Sequence, residues 1–244
     1  MKKKEIKGKH GIKSSKQIFL KNILKYVLKI FFCFIIVSLI QVVTVRFINI
    51  PFTLGSSIGW FSDAIRGRDF NGLRAKWKPL SEISPYVRRA VLAAEDQRFS
   101  EHGGFDYTEI ANAVKKATKG QKLRGASTIS MQTARTVFLW EKRSVSRKLL
   151  EIYYTFLIEC LWSKQRILEV YLNTVDWGDD IMGIESASRE YFKVSAAALT
   201  VDQAAALAAI LPNPHYFDPV KPDAATASRI IRIKKDMSVM PLLQ

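Results

Sequence analysis

Sequence features that mark several common classes of protein are missing from this chain. Only two cysteines occur among its 244 residues, and one of them, Cys33, lies in an uncharged apolar run far from the other, Cys160. They are not expected to pair, so a disulfide framework is excluded. No Walker A sequence and no G-x-G-x-x-G run occurs, which excludes nucleotide binding through either of those loops.

Acidic residues are scarce as well: 22 of them stand against 38 lysines and arginines, and the formal net charge is +16. An excess of this size is typical of proteins that bind nucleic acid. More than half of it, however, lies in the first thirty residues, which hold ten lysines and one glutamate. We therefore expect a basic tail and no nucleic-acid partner.

The basic tail, residues 1–29, precedes an uncharged apolar run from Ile30 to Val45. These sixteen residues fall short of the roughly 20 that cross a bilayer, but Lys29 and Arg46 can reach towards the interface and apolar residues continue to Ile50. The sequence predicts a membrane helix over 30–50, with the tail in the cytoplasm by the positive-inside rule. The alternative is a cleaved signal peptide, which the long basic tail and the lack of a clear A-x-A site disfavour.

The remaining chain is divided by composition into three segments. Residues 51–79, with Pro, Gly and Ser, form a juxtamembrane connector; residues 80–235 form one domain; and residues 236–244 form a short tail. Helical periodicity dominates the domain, and no convincing strand appears, so the fold class is mostly α. The acidic loop from Trp177 to Gly183 is expected to be exposed to solvent rather than to hold a cation.

Glu95 is the first candidate for acid–base chemistry. The segment before it is predicted to be a helix, with Ser84 as N-cap and Pro85 in the first turn. Val87, Val91 and Glu95 share one face at four-residue spacing, so Glu95 ends the apolar face and is partly desolvated. Partial desolvation suits a carboxylate to act as a base. The alternative is an ordinary ion pair with Arg88 or Arg98.

His102 follows with two glycines that permit a turn. No H-E-x-x-H or C-x-x-C sequence stands near it, so a structural turn histidine is preferred to a metal ligand. Further on, Gly125 opens a run of small and hydroxylated residues that enters a helix and ends at Arg135. Such a run can present N–H groups and hydroxyls to an anion, although an ordinary capped helix has the same pattern.

Glu151 is the second candidate. It follows Arg147 and Lys148 by one helical turn, and beside these cations it is expected to stay ionised. It could then organise a basic surface, orient a substrate or hold a divalent ion, and the alternative is a plain i, i+4 ion pair with Arg147. Arg135 and Arg143 add further donors suited to phosphate.

Taken in order, these segments resemble the successive motifs of the family 51 glycosyltransferases, which polymerise lipid II into peptidoglycan. The resemblance rests on EDQRFSEHGGFD from Glu95, GASTISMQTAR from Gly125, RSVSRKLLE from Arg143 and KQRILEVYLN from Lys164. It continues through WGDDIMGIESASREYF and LPNP and covers about residues 77–222. It implies a lysozyme-like helical domain with a large and a small lobe. No S-x-x-K or K-T-G sequence of a transpeptidase domain accompanies it.

The resemblance also implies roles for individual residues. Glu95 matches the family's catalytic base, and Glu151 matches the glutamate beside the donor diphosphate. The predicted substrate-binding residues are Asp96, Arg98, Ser127, Thr128, Gln132, Arg135, Arg143, Arg147 and Lys148. Implied partners are lipid II and the growing glycan strand, membrane lipids, and other cell-wall synthesis or division proteins. No cofactor is expected to be required, and Mg²⁺ or Mn²⁺ at the diphosphate is an open alternative.

Two positions depart from the family pattern. Met131 stands where the family usually has glutamine, and Thr136 stands where it usually has asparagine, which removes two amides from the expected donor side. The sequence therefore also leaves two alternatives to a membrane-anchored transferase. One is a glycan-cleaving hydrolase, which would need a protonated Glu95 as its acid. The other is a scaffold that binds lipid-linked precursor without turning it over.

Overall fold

The computed structural model describes residues 2–50, 76–118, 120, 127–140 and 142–243. The mostly helical fold predicted from the sequence is confirmed over these ranges. Most of the predicted connector, residues 51–75, lies outside them, and so do Gly125 and Ala126 at the start of the hydroxyl-rich run. The first helix, α1, runs from Lys2 to Phe47 and forms a unit separate from the globular part of the chain.

Helix α1 is continuous through the tail and the apolar run. Its part from Phe19 to Phe47 has 29 residues, its most apolar 18-residue window has a mean hydropathy of 2.5, and it is long and apolar enough to cross a membrane. The predicted membrane run from Ile30 to Val45 lies inside this segment, and the helix passes without a break from the lysine-rich tail through the run to Phe47.

The globular part begins with a short 3-10 helix, Leu80–Glu82, and continues mainly as α-helices joined by short loops. The first five are α2 Pro85–Glu95, α3 Tyr107–Thr118, α4 Ile129–Phe138, α5 Val145–Leu161 and α6 Lys164–Thr174. The last three are α7 Ile184–Phe192, α8 Val201–Ile210 and α9 Ala224–Met237.

The predicted start of α2 is confirmed. The Ser84 hydroxyl accepts a hydrogen bond from the Tyr86 N–H, and Pro85 occupies the first turn. Val87 and Val91 are fully buried on one face of the helix, and Glu95 follows them as its last residue. Glu95 is therefore placed by the end of a buried helix rather than by a surface loop.

Helices α2, α8 and α9 pack against one another and form one group. In α8 every residue from Ala204 to Ile210 is buried, and small side chains allow neighbouring helices to approach closely on several sides. A second group is formed by α4 packed against both α5 and α6. The end of α2 and the first turns of α4 bring these two groups together, which is where the candidate site lies.

Helix α5 is buried on one face only. Its inner face is buried at Tyr154, Thr155 and Ile158, but Leu149 and Phe156 on the opposite face are 64% and 59% exposed. Helix α3 has no buried residue at all. The strongly apolar composition of α5, from which a core helix is expected, therefore does not show how much of the helix is covered by protein.

The expectation of no strands is wrong at one place. Residues Asp176–Gly178 (β1) and Ile181–Met182 (β2) pair as a short antiparallel hairpin where an open acidic loop was predicted. The turn uses two unusual backbone conformations, with φ of +151° at Gly178 and +59° at Asp180, which glycine and aspartate tolerate better than most residues. Its strands are too short to leave an alternating pattern in the sequence.

Candidate active site

A cavity of about 440 Å³ opens where the two helix groups meet. The end of α2, one face of α3 and the start of α4 supply most of its walls, and α9 closes one side. Its described lining carries charges of both signs and a few small residues: Ala93, Ala94, Glu95, Asp96, Gln97, Arg98, Asp106, Glu109, Ala113, Lys116, Ser127, Thr128, Gln132, Pro212 and Arg229. Six of the predicted site residues are among them, drawn from segments more than thirty positions apart.

The Glu95 side chain is 15% exposed, as its place at the end of an apolar face predicted. One of its oxygens, Oε1, lies 3.0 Å from Nη2 of Arg229 on α9. The other, Oε2, accepts a hydrogen bond of 3.0 Å from the amide nitrogen of Gln132 on α4. Neither Arg88 nor Arg98, the ion-pair partners proposed from the sequence, is the cation in this pair. The carboxylate is thus held from two sides at the wall of an open cavity.

Gln132 is itself oriented by α6. The hydroxyl of Tyr171 lies 3.2 Å from the amide oxygen of Gln132. Burial raises the pKa of Tyr171 well above its ordinary value, and the negative charge of Glu95 raises it further, while Arg135 and Arg229 act in the opposite direction. These electrostatic contributions place Arg135 and Glu95 around the same buried hydroxyl.

Asp96 is buried and connects three segments. Its Oδ2 accepts the Ile129 N–H at 2.9 Å, at the start of α4, and its Oδ1 is 2.9 Å from Nε2 of His102. The Gly104 N–H points at the other ring nitrogen of His102, 3.1 Å away, so that nitrogen accepts and Nε2 carries the proton that Asp96 receives. Both ring nitrogens are therefore used inside the protein, which agrees with a structural turn histidine.

Asp96, His102 and Asp106 have ligand atoms within 4.8 Å of one another, a spacing that could hold a metal ion. Their hydrogen bonds argue against this use. Oδ1 of Asp106 accepts the N–H groups of Thr108 and Glu109 and also contacts Arg98, 3.2 Å away. Because both oxygens of Asp96, both ring nitrogens of His102 and Oδ1 of Asp106 already have partners within the protein, these residues do not fit a metal site.

Arg98, predicted to bind substrate, lines the cavity and pairs with Glu101 at 2.8 Å besides Asp106. Thr128 lines it as well, but its buried hydroxyl donates to the Gly104 carbonyl at 2.7 Å and accepts the Met131 N–H as the N-cap of α4. Its hydroxyl is therefore committed to the protein. Ser127 is half-buried beside it and faces the cavity.

The second candidate, Glu151, does not line the described cavity. It is 1% exposed on α5, and its two oxygens are paired with Nη1 of Arg147 at 2.8 Å and with Nζ of Lys148 at 2.6 Å. Arg147 is buried too, whereas the Lys148 side chain is 45% exposed. The i, i+4 ion pair of Glu151 with Arg147, which was the alternative to a ligand-binding role, is thus present. Lys148 is the member of this group whose ammonium is accessible to a ligand.

The other predicted basic residues lie on α4 and just before α5. Arg135 is half-buried in the last turn of α4, one turn beyond Gln132 and on a helix that packs against α5. Arg143 is exposed, next to Ser144, the N-cap of α5. We call Arg135, Arg143, Arg147 and Lys148 the basic cluster. Arg135 lies three positions beyond Gln132, a rise of about 4.5 Å along α4, so Glu95 contacts one turn of this helix and Arg135 lies on the next.

The two departures from the family pattern differ in their surroundings. Met131 is 6% exposed and packs inside the protein, so this position does not present a side chain to the described cavity. Thr136 is half-buried in the last turns of α4, next to Arg135. The concern that Met131 removes a substrate contact is therefore not supported by its position.

Sequence reasoning missed four contributors to the site. Arg229 is 134 positions from its partner Glu95, and the basic residues around it gave no signal that distinguished it from its neighbours. Tyr171 belongs to the quoted KQRILEVYLN segment but was expected only to face the core. Glu109 and Lys116 lie on one face of α3, seven residues apart, and a charged helix face is normally a solvated one.

Known proteins resemble this chain over most of its length. The sequence profile of the family described as Transglycosylase matches residues 64–238. A biosynthetic peptidoglycan transglycosylase of Bdellovibrio bacteriovorus is 44% identical over 209 residues, 86% of this chain and 83% of that protein. A protein of the same name in Caulobacter vibrioides is 43% identical, over 89% of this chain and 92% of that protein. Another in Bacteroides thetaiotaomicron is 40% identical, over 91% of this chain and 89% of that protein. The chain belongs to the transglycosylase family.

Proposed function

We propose that this chain is a membrane-anchored peptidoglycan glycosyltransferase that polymerises lipid II. The observation that carries the proposal is the position of Glu95, a partly buried carboxylate held at the wall of an open cavity by Gln132, one helical turn from Arg135 of the basic cluster. The relatives named above are biosynthetic peptidoglycan transglycosylases, which supports glycan polymerisation as the reaction.

In this proposal Glu95 takes the proton from the 4-hydroxyl of the acceptor sugar. The oxygen attacks the anomeric carbon of the donor, the bond from that carbon to the diphosphate breaks, and undecaprenyl diphosphate leaves. One displacement of this kind converts an α-linked donor into a β-1,4 link. A single base contributes roughly 10²–10⁴-fold to a rate, so positioning and charge stabilisation supply much of the remainder.

The leaving diphosphate requires positive charge, which the basic cluster provides. Arg143 and Lys148 have exposed side chains, and Arg135 is half-buried on α4, which packs against α5. Glu151 holds Arg147 and Lys148 in place. A divalent cation on Glu151 would compete with both of these ion pairs, so we propose that the cationic side chains supply the counter-charge. Polymerisation without added Mg²⁺ or Mn²⁺ tests this part.

The location follows from the membrane segment of α1. We propose that it anchors the chain in the bacterial cytoplasmic membrane, with the lysine-rich tail inside the cell and the globular part outside. In that arrangement the lipid tail of the substrate stays in the membrane while its sugars reach the cavity. Other cell-wall synthesis and division proteins are the partners expected there.

The test uses full-length protein in detergent with labelled lipid II, and product length is read on a gel. Wild type is expected to form polymer and Glu95→Gln to form none. Glu190→Gln is the matched control, because Glu190 is an exposed residue of α7 whose side chain is 65% accessible. Release of fragments from preformed glycan without polymerisation would favour the hydrolase, and binding of lipid II without any product would favour the scaffold.

A further inference from the structure

Tyr171 is a polar residue in the protein core next to the candidate base. It lies on α6, is 1% exposed, and directs its hydroxyl at the amide of Gln132 rather than at a backbone carbonyl of its own helix. Gln132 in turn contacts Glu95. The three side chains form a connected series from the core to the cavity wall, with one member each on α6, α4 and α2.

The direction of the two hydrogen bonds is determined by chemistry. A glutamine amide has one end that accepts and one end that donates, whereas an ionised carboxylate only accepts. The nitrogen of Gln132 must therefore face Glu95. In the opposite orientation its oxygen would meet the carboxylate, and the Tyr171 hydroxyl would have to accept and find another acceptor for its proton inside the core.

The Tyr171 hydroxyl is suited to hold this orientation. Burial and the charge of Glu95 keep its pKa well above the ordinary value of tyrosine, so it stays a donor at any pH at which the enzyme would work. Its ring is fixed by the packing of α6 against α4. It therefore favours one of the two amide orientations of Gln132 without touching the cavity itself.

We propose that Tyr171 is a positioning residue that orients the Gln132 amide so that its N–H group holds the Glu95 carboxylate in its ionised form. The inference rests on the proposed role of Glu95 as base. Removing the hydroxyl leaves the amide oxygen of Gln132 without this donor, so that the ionised carboxylate alone holds the amide in this orientation, whereas a protonated Glu95 can donate to the amide oxygen after the amide turns. The ionised form of Glu95 thus loses its advantage over the protonated form, and a higher pH is needed to ionise it.

The first test compares the pH dependence of lipid II polymerisation in wild type and Tyr171→Phe. The acidic limb of kcat/KM is expected to move upward by about half to one pH unit, which is a loss of about 3- to 10-fold on that limb. The rate on the plateau should stay within about 3-fold, because the base is intact once ionised. A loss of activity that is uniform across pH, or an unchanged profile, would overturn the proposal.

Tyr191→Phe is the matched control. Its hydroxyl donates to the Trp177 carbonyl at 2.9 Å, so the substitution also removes one partly buried hydrogen bond of a tyrosine hydroxyl. This bond lies at the hairpin and not at the candidate site. The Tm of Tyr191→Phe should fall by an amount similar to the fall in Tyr171→Phe, while the acidic limb of its kcat/KM profile stays at the wild-type position. An equal shift in Tyr191→Phe would show that general loosening is the cause.

A double-mutant comparison tests whether Tyr171 acts through Gln132. Gln132→Met removes both ends of the amide at similar volume and should shift the acidic limb at least as far as Tyr171→Phe. Adding Tyr171→Phe to Gln132→Met should then shift it no further, because the residue through which it acts is gone. Additive shifts would mean that Tyr171 acts on Glu95 by another route.

A measurement without substrate separates this inference from the proposed function. The carboxyl carbon of Glu95 can be followed by NMR in full-length protein labelled with ¹³C-glutamate, with Glu95→Gln identifying its signal. Its titration midpoint should move upward in Tyr171→Phe and stay in place in Tyr191→Phe. If wild type makes no polymer but the midpoint moves, the proposed function fails and the inference stands. If polymer forms and the midpoint does not move, the inference fails alone.

Discussion

Glu151 is the predicted catalytic residue whose surroundings are most easily tested, because its carboxylate is buried with Arg147. The side chains of these two residues are 2% and 9% exposed, and the distance between their charged atoms is 2.8 Å. Truncating one member of a buried pair leaves an uncompensated charge, which typically costs about 3–5 kcal/mol. Glu151→Ala should therefore destabilise the protein by about that amount, and activity loss in this variant alone says little about catalysis.

The expected change is large enough for a melting experiment. For a chain of this size about 1 kcal/mol corresponds to about 2–4 °C, so Glu151→Ala should lower the Tm of the detergent-solubilised protein by about 6–20 °C. Lys148→Met should cost less than about 1 kcal/mol and so lower the Tm by no more than about 2–4 °C, since the Lys148 side chain is 45% exposed. A Tm of Glu151→Ala within 2 °C of wild type, measured with about 1 °C precision, would refute the structural account of the pair.

The pair can also be replaced as a whole. Arg147→Met with Glu151→Leu removes both charges at similar volume, and such replacements are often neutral or stabilising. This double variant should recover most of the Tm lost in Glu151→Ala. If the basic cluster holds the diphosphate, it should still polymerise lipid II poorly. Recovery of both stability and activity would show that the pair serves folding only.

Three further predictions concern other parts of the protein. Arg229→Met should lower polymerisation at least 10-fold at saturating lipid II, by removing the cation 3.0 Å from the candidate base, whereas Arg232→Met, one turn along α9, should leave it unchanged. Ile158→Ala on the buried face of α5 should cost about 2–5 kcal/mol of unfolding free energy, while Phe156→Ala, 59% exposed, should cost less than about 1, as chemical denaturation can show. Two aspartates raise the pKa of His215, so its contribution to stability is complete below the pKa of the unfolded state and is lost as the pH rises through the pKa of the folded state. His215→Gln should therefore lower the Tm at pH 6 and leave it unchanged at pH 9. The loss of stability at pH 6 should be less than about 1 kcal/mol, because the His215 side chain is half exposed.

The local features of the fold were predictable because local chemistry decides them. Ser84 and Pro85 start α2, Ser163 caps α6, and the buried spacing of Val87 and Val91 carries Glu95 to the helix end. The hairpin at Asp176 was missed because its strands are only two and three residues long. The exposed face of α5 was missed because composition shows that residues are apolar but not whether anything covers them.

The site was predictable where its residues are close in sequence or match a family motif. Glu95, Arg98, Ser127 and Gln132 do line one cavity, and their substrate contacts remain predictions. What the sequence could not reveal is the pairing of Glu95 with Arg229, because nothing local connects positions 134 residues apart. Nor could it distinguish polar groups that face a substrate from those that hold the protein together.

That distinction is clearest at the start of α4. A run of small hydroxylated residues before a helix is typical of an anion site, yet one N–H there is taken by the Asp96 carboxylate and another by the Thr128 hydroxyl. Both acceptors come from within the protein. The pattern correctly located a helix N-terminus that needs acceptors, but it did not indicate that the protein supplies them.

The central claim is that Glu95 is the base of a lipid II polymerase, and its most direct test is the polymerisation assay with Glu95→Gln. The substitution keeps the volume and a hydrogen-bonding oxygen while removing the charge. With a melting curve close to that of wild type and unchanged binding of lipid II, the account predicts that polymer disappears, at least 100-fold below wild type. Polymer formed by Glu95→Gln at a rate near that of Glu190→Gln would contradict it.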